Sequence, residues 1–368
     1  MNKNFDNKKS ISKKMLLIIF VVIIETIFIK LLMYDTLPQK YFYDANHILN
    51  VMNNIGLTDK SYTYTANVFN FLNIFGLSDI KAWGYLISII FLPVIIFGIA
   101  QNKEYNNFQL IFIISSIALL NIYVFGLSKD IIQFTYFLAI FFVLKSSKLS
   151  NLKKVILICF ILLYEALNFR VYYAIMAMLV VTIYYIYLTF INGKKVNKRT
   201  FKKIILIAFL AFFLETFVVQ LISSENYDSI LNARYSVNIF RQDGTDSNTL
   251  INDLLGRNTN YFIFMGNYFI NAIRLMFPIE LFLKGPKQGI FAIYQIFISI
   301  CLIRACRKIN IKNCLWIITV ISFFMISFIF EPDFGSFVRH ETAMFLILLE
   351  VLNISCEISK KNFIELKK

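Results

Sequence analysis

Charge is scarce in this chain. Of 368 residues, 16% are charged and 58% are hydrophobic, whereas an ordinary soluble domain is roughly 25% charged. So little polar surface cannot coat several water-soluble domains, and a mean hydropathy of +0.66 points to lipid as the main solvent. Cysteine is sparse as well, and five residues make no disulfide framework. Cys306 and Cys314 are separated by seven intervening residues and lack His partners, which is not a zinc spacing, so no metal is expected. P-loop and Rossmann fingerprints are absent, as are internal repeats and low-complexity tracts. No cofactor is therefore expected, and any energy the chemistry needs must arrive with a substrate or an ion gradient. Disorder is excluded by 40 Phe and 20 Tyr, which bury too readily.

What the chain has instead is long apolar runs. Runs of about 17 to 25 residues cross the hydrocarbon core as helices. Such runs occupy roughly 15–33, 83–101, 108–126, 130–147, 153–169, 171–191, 203–222, 288–303, 313–330 and 340–356. The first follows five lysines like a signal peptide, but its length, Glu25, Lys30 and the lack of a small-residue cleavage site predict a retained span. The stretch 261–287 is apolar enough to span, yet carries Asn267, Asn271, Arg274, Pro278 and Glu280. Reading it as re-entrant gives ten spans with both termini inside. Inner segments then hold 24 Lys and Arg against 4 acids, and outer segments 12 against 14. That asymmetry follows the positive-inside rule. The net charge of +15 thus reads as an orientation signal, and nucleic acid drops out as a partner. The expected fold is all-α, a single polytopic membrane domain with two large outer segments, about 34–82 and 223–287.

The outer segments carry the candidate chemistry. Residues 41–54 and 61–75 read as short amphipathic helices on the membrane surface, the second with a stripe of Val68, Phe71, Leu72 and Phe75. They are either packing over the bundle or a guide for a lipid-bearing substrate. Asp44 and His47 stand close enough to cooperate. The late segment offers Arg234, Arg241 and Arg257 among several Asp residues. This is either a self-paired surface or a phosphate grip, for which planar guanidinium suits better than ammonium. As surface groups, Arg234 and Arg241 should be removable with little loss of stability.

A sharper clue comes from cations at outward helix starts: Lys129 in GLSKD, Arg170 in NFRVYY, and Arg339 with His340 in GSFVRHE. A helix N-terminus already bears partial positive charge. Neighbouring acids (Asp130, Glu331, Asp333, Glu341) or an anionic ligand would reconcile these placements. Ser128 and Ser336 read as N-caps. Glu25, Glu165 and Glu215 lie inside spans, where carboxylates are costly and so are candidates for function. Glu165 is also placed to pair with Arg170.

Four stretches carry a resemblance: YFYDANHILNVMNN (41–54), GLSKDIIQF (126–134), EALNFRVYYAI (165–175) and EPDFGSFVRHETA (331–343). They resemble Wzy-type (EpsG-like) capsular and exopolysaccharide repeat-unit polymerases. That resemblance implies a membrane glycosyltransferase acting on undecaprenyl-diphosphate-linked oligosaccharide at the outer leaflet, beside other capsule-assembly membrane proteins. Arg and Lys would stabilise the leaving diphosphate, and Asp333, Glu341 or His340 would act as base, with Arg339 on the diphosphate. The motif Gly-x-Asp-Thr of EpsG-like relatives is met only by Tyr43-Asp44, without the Gly. Two rival readings stay open. One is a C-type glycosyltransferase with Asp35 or Asp44 as base. The other is a transporter or flippase, which predicts broken helices, and Pro93 is the sole proline inside a span.

Overall fold

The computed structural model describes residues 13–55, 59–101, 104–191 and 249–356, with scattered positions between 203 and 234. The described residues form helices and no strand, apart from one isolated bridge between Leu250 and Asp333. They group into two compact units, one running to Ile132 and the other starting at Gln133.

In the first unit, α1 (Lys13–Thr36) packs against α4 (Ile80–Ala100) and α5 (Asn107–Leu119). Between them come α2 (Tyr43–Met52) and α3 (Lys60–Leu72), packed on each other. The starts are set by side-chain caps: Asp59 for α3, Asp79 for α4 and the Asn106–Gln109 capping box for α5. Gly84 permits close approach of α1, since a Cβ there would lie 1.7 Å from the Tyr34 hydroxyl. A polar seam joins the same helices. Asn121 Nδ2 donates to Thr26 Oγ1 at 3.2 Å, and the buried Lys30 ammonium donates to the Asn121 carbonyl at 2.5 Å and to that of Phe125. The turn that receives Lys30 is a π turn, Leu120–Val124, whose wider winding leaves carbonyls for it.

In the second unit, most of α6 (Lys129–Lys145) is followed by α7 (Asn151–Asn168), α8 (Tyr173–Ile191), α9 (Tyr261–Met276), α10 (Pro286–Cys306), α11 (Cys314–Phe330), α12 (Phe334–Thr342) and α13 (Phe345–Cys356). Helix α11 is buried on nearly every face and packs against α8, α9 and α13, as an apolar helix without a polar stripe must.

Among the described residues, five helices are long and apolar enough to cross a membrane: α1, α4, α5 with its π turn, α8 and α10. Large apolar side chains line their outer faces, Leu17, Phe20, Ile24 and Phe28 on α1 and Ile290 and Ile293 on α10 among them. A lipid bilayer is the environment such faces fit. The expected run 203–222, with Glu215, falls largely outside the described residues. The run expected to be continuous over 340–356 is interrupted. Helix α12 ends at Thr342 and α13 begins at Phe345, and the twelve residues of α13 rise only about 18 Å, short of a bilayer core. The stripe on α3 also differs from a packing face. Phe71 is 85% exposed and Phe75 74%, while Thr65, Ala66 and Phe69 face inward. The stripe thus points away from the protein, as on a helix lying against an interface.

Candidate functional site

Helix α12 begins where Asp333 caps it. The carboxylate accepts from Ser336 N at 2.7 Å and from Ser336 Oγ at 2.8 Å, so Asp333 and not Ser336 is the N-cap. Arg339 and His340 consequently lie in the last turn of α12 rather than the first turn of a tenth span. The dipole argument reverses there, because a cation at a helix C-terminus is favoured. Arg170 also stands outside the start of α8. Its backbone N–H donates to the Glu165 carbonyl at 3.2 Å and so closes the end of α7. Only Lys129 keeps the expected position, opening α6, with Ser128 Oγ capping Ile131 N at 3.3 Å.

His340 is the centre of the second unit's polar cluster. Its Nδ1 lies 2.6 Å from Glu331 Oε1, and its Nε2 lies 3.2 Å from Arg170 Nη2. Guanidinium only donates, so Nε2 is the accepting nitrogen and Nδ1 carries the proton directed at Glu331. Gln133 braces both partners: its Oε1 accepts from Arg170 Nη1 at 2.8 Å, and its Nε2 donates to the His340 carbonyl at 3.1 Å. Tyr172 Oη accepts from Arg170 Nη1 at 3.0 Å, and its ring stacks on Phe330. Glu331 and His340 are buried and Arg170 partly so. The arrangement is an imidazole oriented by a carboxylate, with a guanidinium at its accepting nitrogen. A ligand phosphate that drew Arg170 away would leave Nε2 able to take a proton.

The neighbours of His340 diverge. Successive helical residues point about 100° apart, so Arg339, His340 and Glu341 cannot share one cavity wall. Glu341 is buried against Gln295 of α10, and Arg339 is half-buried on another face of α12. The expected side-chain pair of Glu165 with Arg170 is replaced by the backbone bond, and among the described residues Glu165 has no hydrogen-bond partner for its carboxyl.

The late segment behaves differently from a surface. Arg234 is 5% exposed. Its Nε donates to the Glu331 carbonyl at 2.9 Å, its Nη2 to the Phe328 carbonyl at 2.5 Å and its Nη1 to Asp253 Oδ1 at 3.0 Å. It closes the end of α11, and the expectation that its charge could be removed cheaply is overturned by this burial. Asp253 Oδ1 also accepts from Asn271 Nδ2 at 2.6 Å, and Arg274 forks onto Glu280 at 2.8 and 3.1 Å. The segment is pinned further by Ile251 N to Pro332 O at 2.9 Å and Phe334 N to Thr249 O at 3.0 Å. Arg257 is exposed in the turn that follows, and Arg241 lies outside the described residues.

In the first unit, Asp44 at the start of α2 accepts from Tyr62 Oη at 2.5 Å. The Lys129 ammonium lies 3.6 Å from the centroid of that same Tyr62 ring, and His47 meets the ring edge-on at 4.4 Å. Asp35 pairs with Lys81 at 2.9 Å on the surface.

Of the residues expected from sequence, the structure thus brings Arg170 and His340 together, and separately Asp44 and Lys129. Gln133 and Tyr172 were not singled out, although Gln133 stands in GLSKDIIQF; Glu331 appeared only as a neutralising acid. Comparison with protein-family models, with curated proteins and with solved structures found no match.

Proposed function

We propose that the chain polymerises undecaprenyl-diphosphate-linked oligosaccharide repeat units into capsular polysaccharide or exopolysaccharide, with its site at the outer face of the cell membrane. The observation that carries the reading is a convergence. Three stretches that resemble the polymerases contribute Gln133, Arg170, and Glu331 with His340, and these side chains meet in one hydrogen-bonded cluster. The distribution of Lys and Arg supports the outward placement.

In the proposed reaction, the hydroxyl of an acceptor sugar gives its proton to His340 Nε2 as its oxygen bonds to the anomeric carbon of the donor glycan. The bond from that carbon to the carrier's diphosphate breaks, and the diphosphate leaves with the electron pair. Glu331 stabilises the imidazolium that forms, and Arg170 neutralises the leaving anion. The glycosyl phosphate bond supplies the driving force, so no nucleotide or metal enters the scheme.

The test is polymer length in cells whose only copy of the chain carries His340→Gln or Arg170→Lys, at matched abundance. General-base loss typically lowers rate by about 10²–10⁴-fold, so only single repeat units should remain. A full ladder from His340→Gln overturns the proposal. Helix α9, only sixteen residues long, and the interruption between α12 and α13 favour a second reading, a transporter of the same lipid-linked sugars. Purified chain in liposomes separates the two, because a transporter moves the lipid-linked unit across the bilayer without lengthening it. A C-type transferase would add a single sugar.

A further inference from the structure

Helix α2 has a surface that neither packing nor membrane contact explains. Its inward face is Ile48 and Met52. Its outward face, at positions i, i+3, i+4 and i+7, is Tyr43, Asn46, His47 and Asn50. With Gln39 and Lys40 from the preceding 3-10 turn (Gln39–Phe42), these line an open cavity of about 320 Å³, at the small end of the ordinary range for small-ligand sites. A solvated surface helix would ordinarily carry Lys and Glu there. This one carries three amides, two rings, one ammonium and no carboxylate.

Tyr43 is 65% exposed and lies parallel to His47 within 5°, their centroids 6.3 Å apart. The pair is held from behind. The Tyr62 ring meets His47, and Tyr62 Oη is bonded to Asp44 on the adjacent face of α2. The site is therefore an exposed ring platform on a braced helix, edged by three amides that each offer both a donor and an acceptor and by one ammonium that only donates. Pyranose sugars present that complement: a flat face of C–H groups for a ring, and hydroxyls that donate and accept in turn. A phosphate would call for guanidinium forks, and a lipid chain for apolar walls.

We infer that this groove binds carbohydrate and holds the non-reacting part of a glycan chain. The identification as a glycan of the polymerisation reaction rests on the proposed function; the carbohydrate chemistry of the groove does not.

The experiment is calorimetric titration of the full chain in nanodiscs. The probe is oligosaccharides of four to eight sugars, released by acid hydrolysis from the surface polysaccharide of the source cells. Wild type should bind. Tyr43→Ala should weaken binding at least tenfold, Tyr43→Phe should retain it because the ring persists, and Asn46→Ala with Asn50→Ala should weaken it severalfold. Exposure of these side chains keeps the variants folded, which thermal unfolding verifies. Absence of wild-type binding at millimolar probe, or Tyr43→Ala and the Asn46/Asn50 double variant all binding within twofold of wild type, overturns the inference. His340→Gln distinguishes the two proposals. It should bind oligosaccharide as wild type does while failing to lengthen polymer. Normal polymer from His340→Gln, with Tyr43-dependent binding intact, sinks the polymerase reading and leaves the groove standing.

Discussion

Arg234→Ala should cripple the protein through stability before any effect on chemistry can be read. The side chain is 6% exposed and gives three hydrogen bonds, two to carbonyls at the end of α11 and one to Asp253. The Asp253 side chain is itself only 11% exposed, so solvent cannot replace the lost partner. Removing one member of such a buried pair typically costs about 3–5 kcal/mol, mostly from the charge left behind. Against a total of roughly 5–15 kcal/mol for a folded protein, that is a large share. Arg234→Lys retains a charge but cannot reach three acceptors in different directions, and should fall between. Asp253→Asn in the Arg234→Ala background should recover part of the loss, because it removes the stranded anion; couplings of this kind run about 0.5–3 kcal/mol. The assay is steady-state abundance in membranes together with thermal unfolding of purified protein. Wild-type abundance and an unchanged midpoint for Arg234→Ala would refute the clamp and restore Arg234 as a candidate ligand group.

Asp333→Ser should keep most polymer, since serine also caps helices, whereas Asp333→Ala should lose about 1 kcal/mol of stability; a dead but fully stable Asp333→Ser would return the carboxylate to the list of bases. Arg339 lies on another face of α12 than His340, so Arg339→Lys should leave a near-normal ladder at normal abundance, and severe shortening from that exchange would return Arg339 to the site as a fork on the diphosphate. Asp59 gives a pH signature. Burial disfavours its charge, but hydrogen bonds from Ser61 and Tyr62 and the nearby Lys129 prevail and hold its carboxyl below the usual range. The stability this cap contributes is complete above the unfolded value near about 3.9 and is lost as pH falls through the lowered folded one. Amide exchange at Ser61 and Tyr62 should therefore stay slow to below about pH 4, and early loss of protection near neutrality would contradict it.

The long spans were legible because apolar length is a local property. Helices α1, α4, α8 and α10 fall close to the runs read from sequence. Helix α2 was legible too, since residues 41–54 carry the pattern of a short amphipathic helix and α2 spans Tyr43–Met52. The boundary at 331–345 was not, because two caps compete there. Asp333 and Ser336 are both good caps, and the choice between them is fixed where residues 249–251 pair with 332–334 and hold Asp333 extended at the helix start. The site was half legible for a similar reason. Arg170 and His340 stand out as cations in apolar sequence, whereas Gln133 resembles any polar residue in a helix until its two partners arrive from α12 and the end of α7. Arg234 misled because burial of a cation depends on carbonyls nearly a hundred residues downstream, which no local pattern announces.

Lys30 bears on how the chain is assembled during synthesis. An ammonium inside an apolar helix opposes insertion, by about 2.5–3.5 kcal/mol at the helix centre and less toward the end where Lys30 stands, and its acceptors, the carbonyls of Asn121 and Phe125, are translated some ninety residues later. Until then α1 must enter the bilayer on the strength of its leucines and isoleucines while Lys30 reaches toward the headgroups. Arrival of α5 exchanges that reach for two fixed carbonyls, and Gly84 lets α4 close against Tyr34 in the same bundle. The first helix is thereby given its final depth by the third long one, which makes the order of helix delivery part of what the sequence encodes.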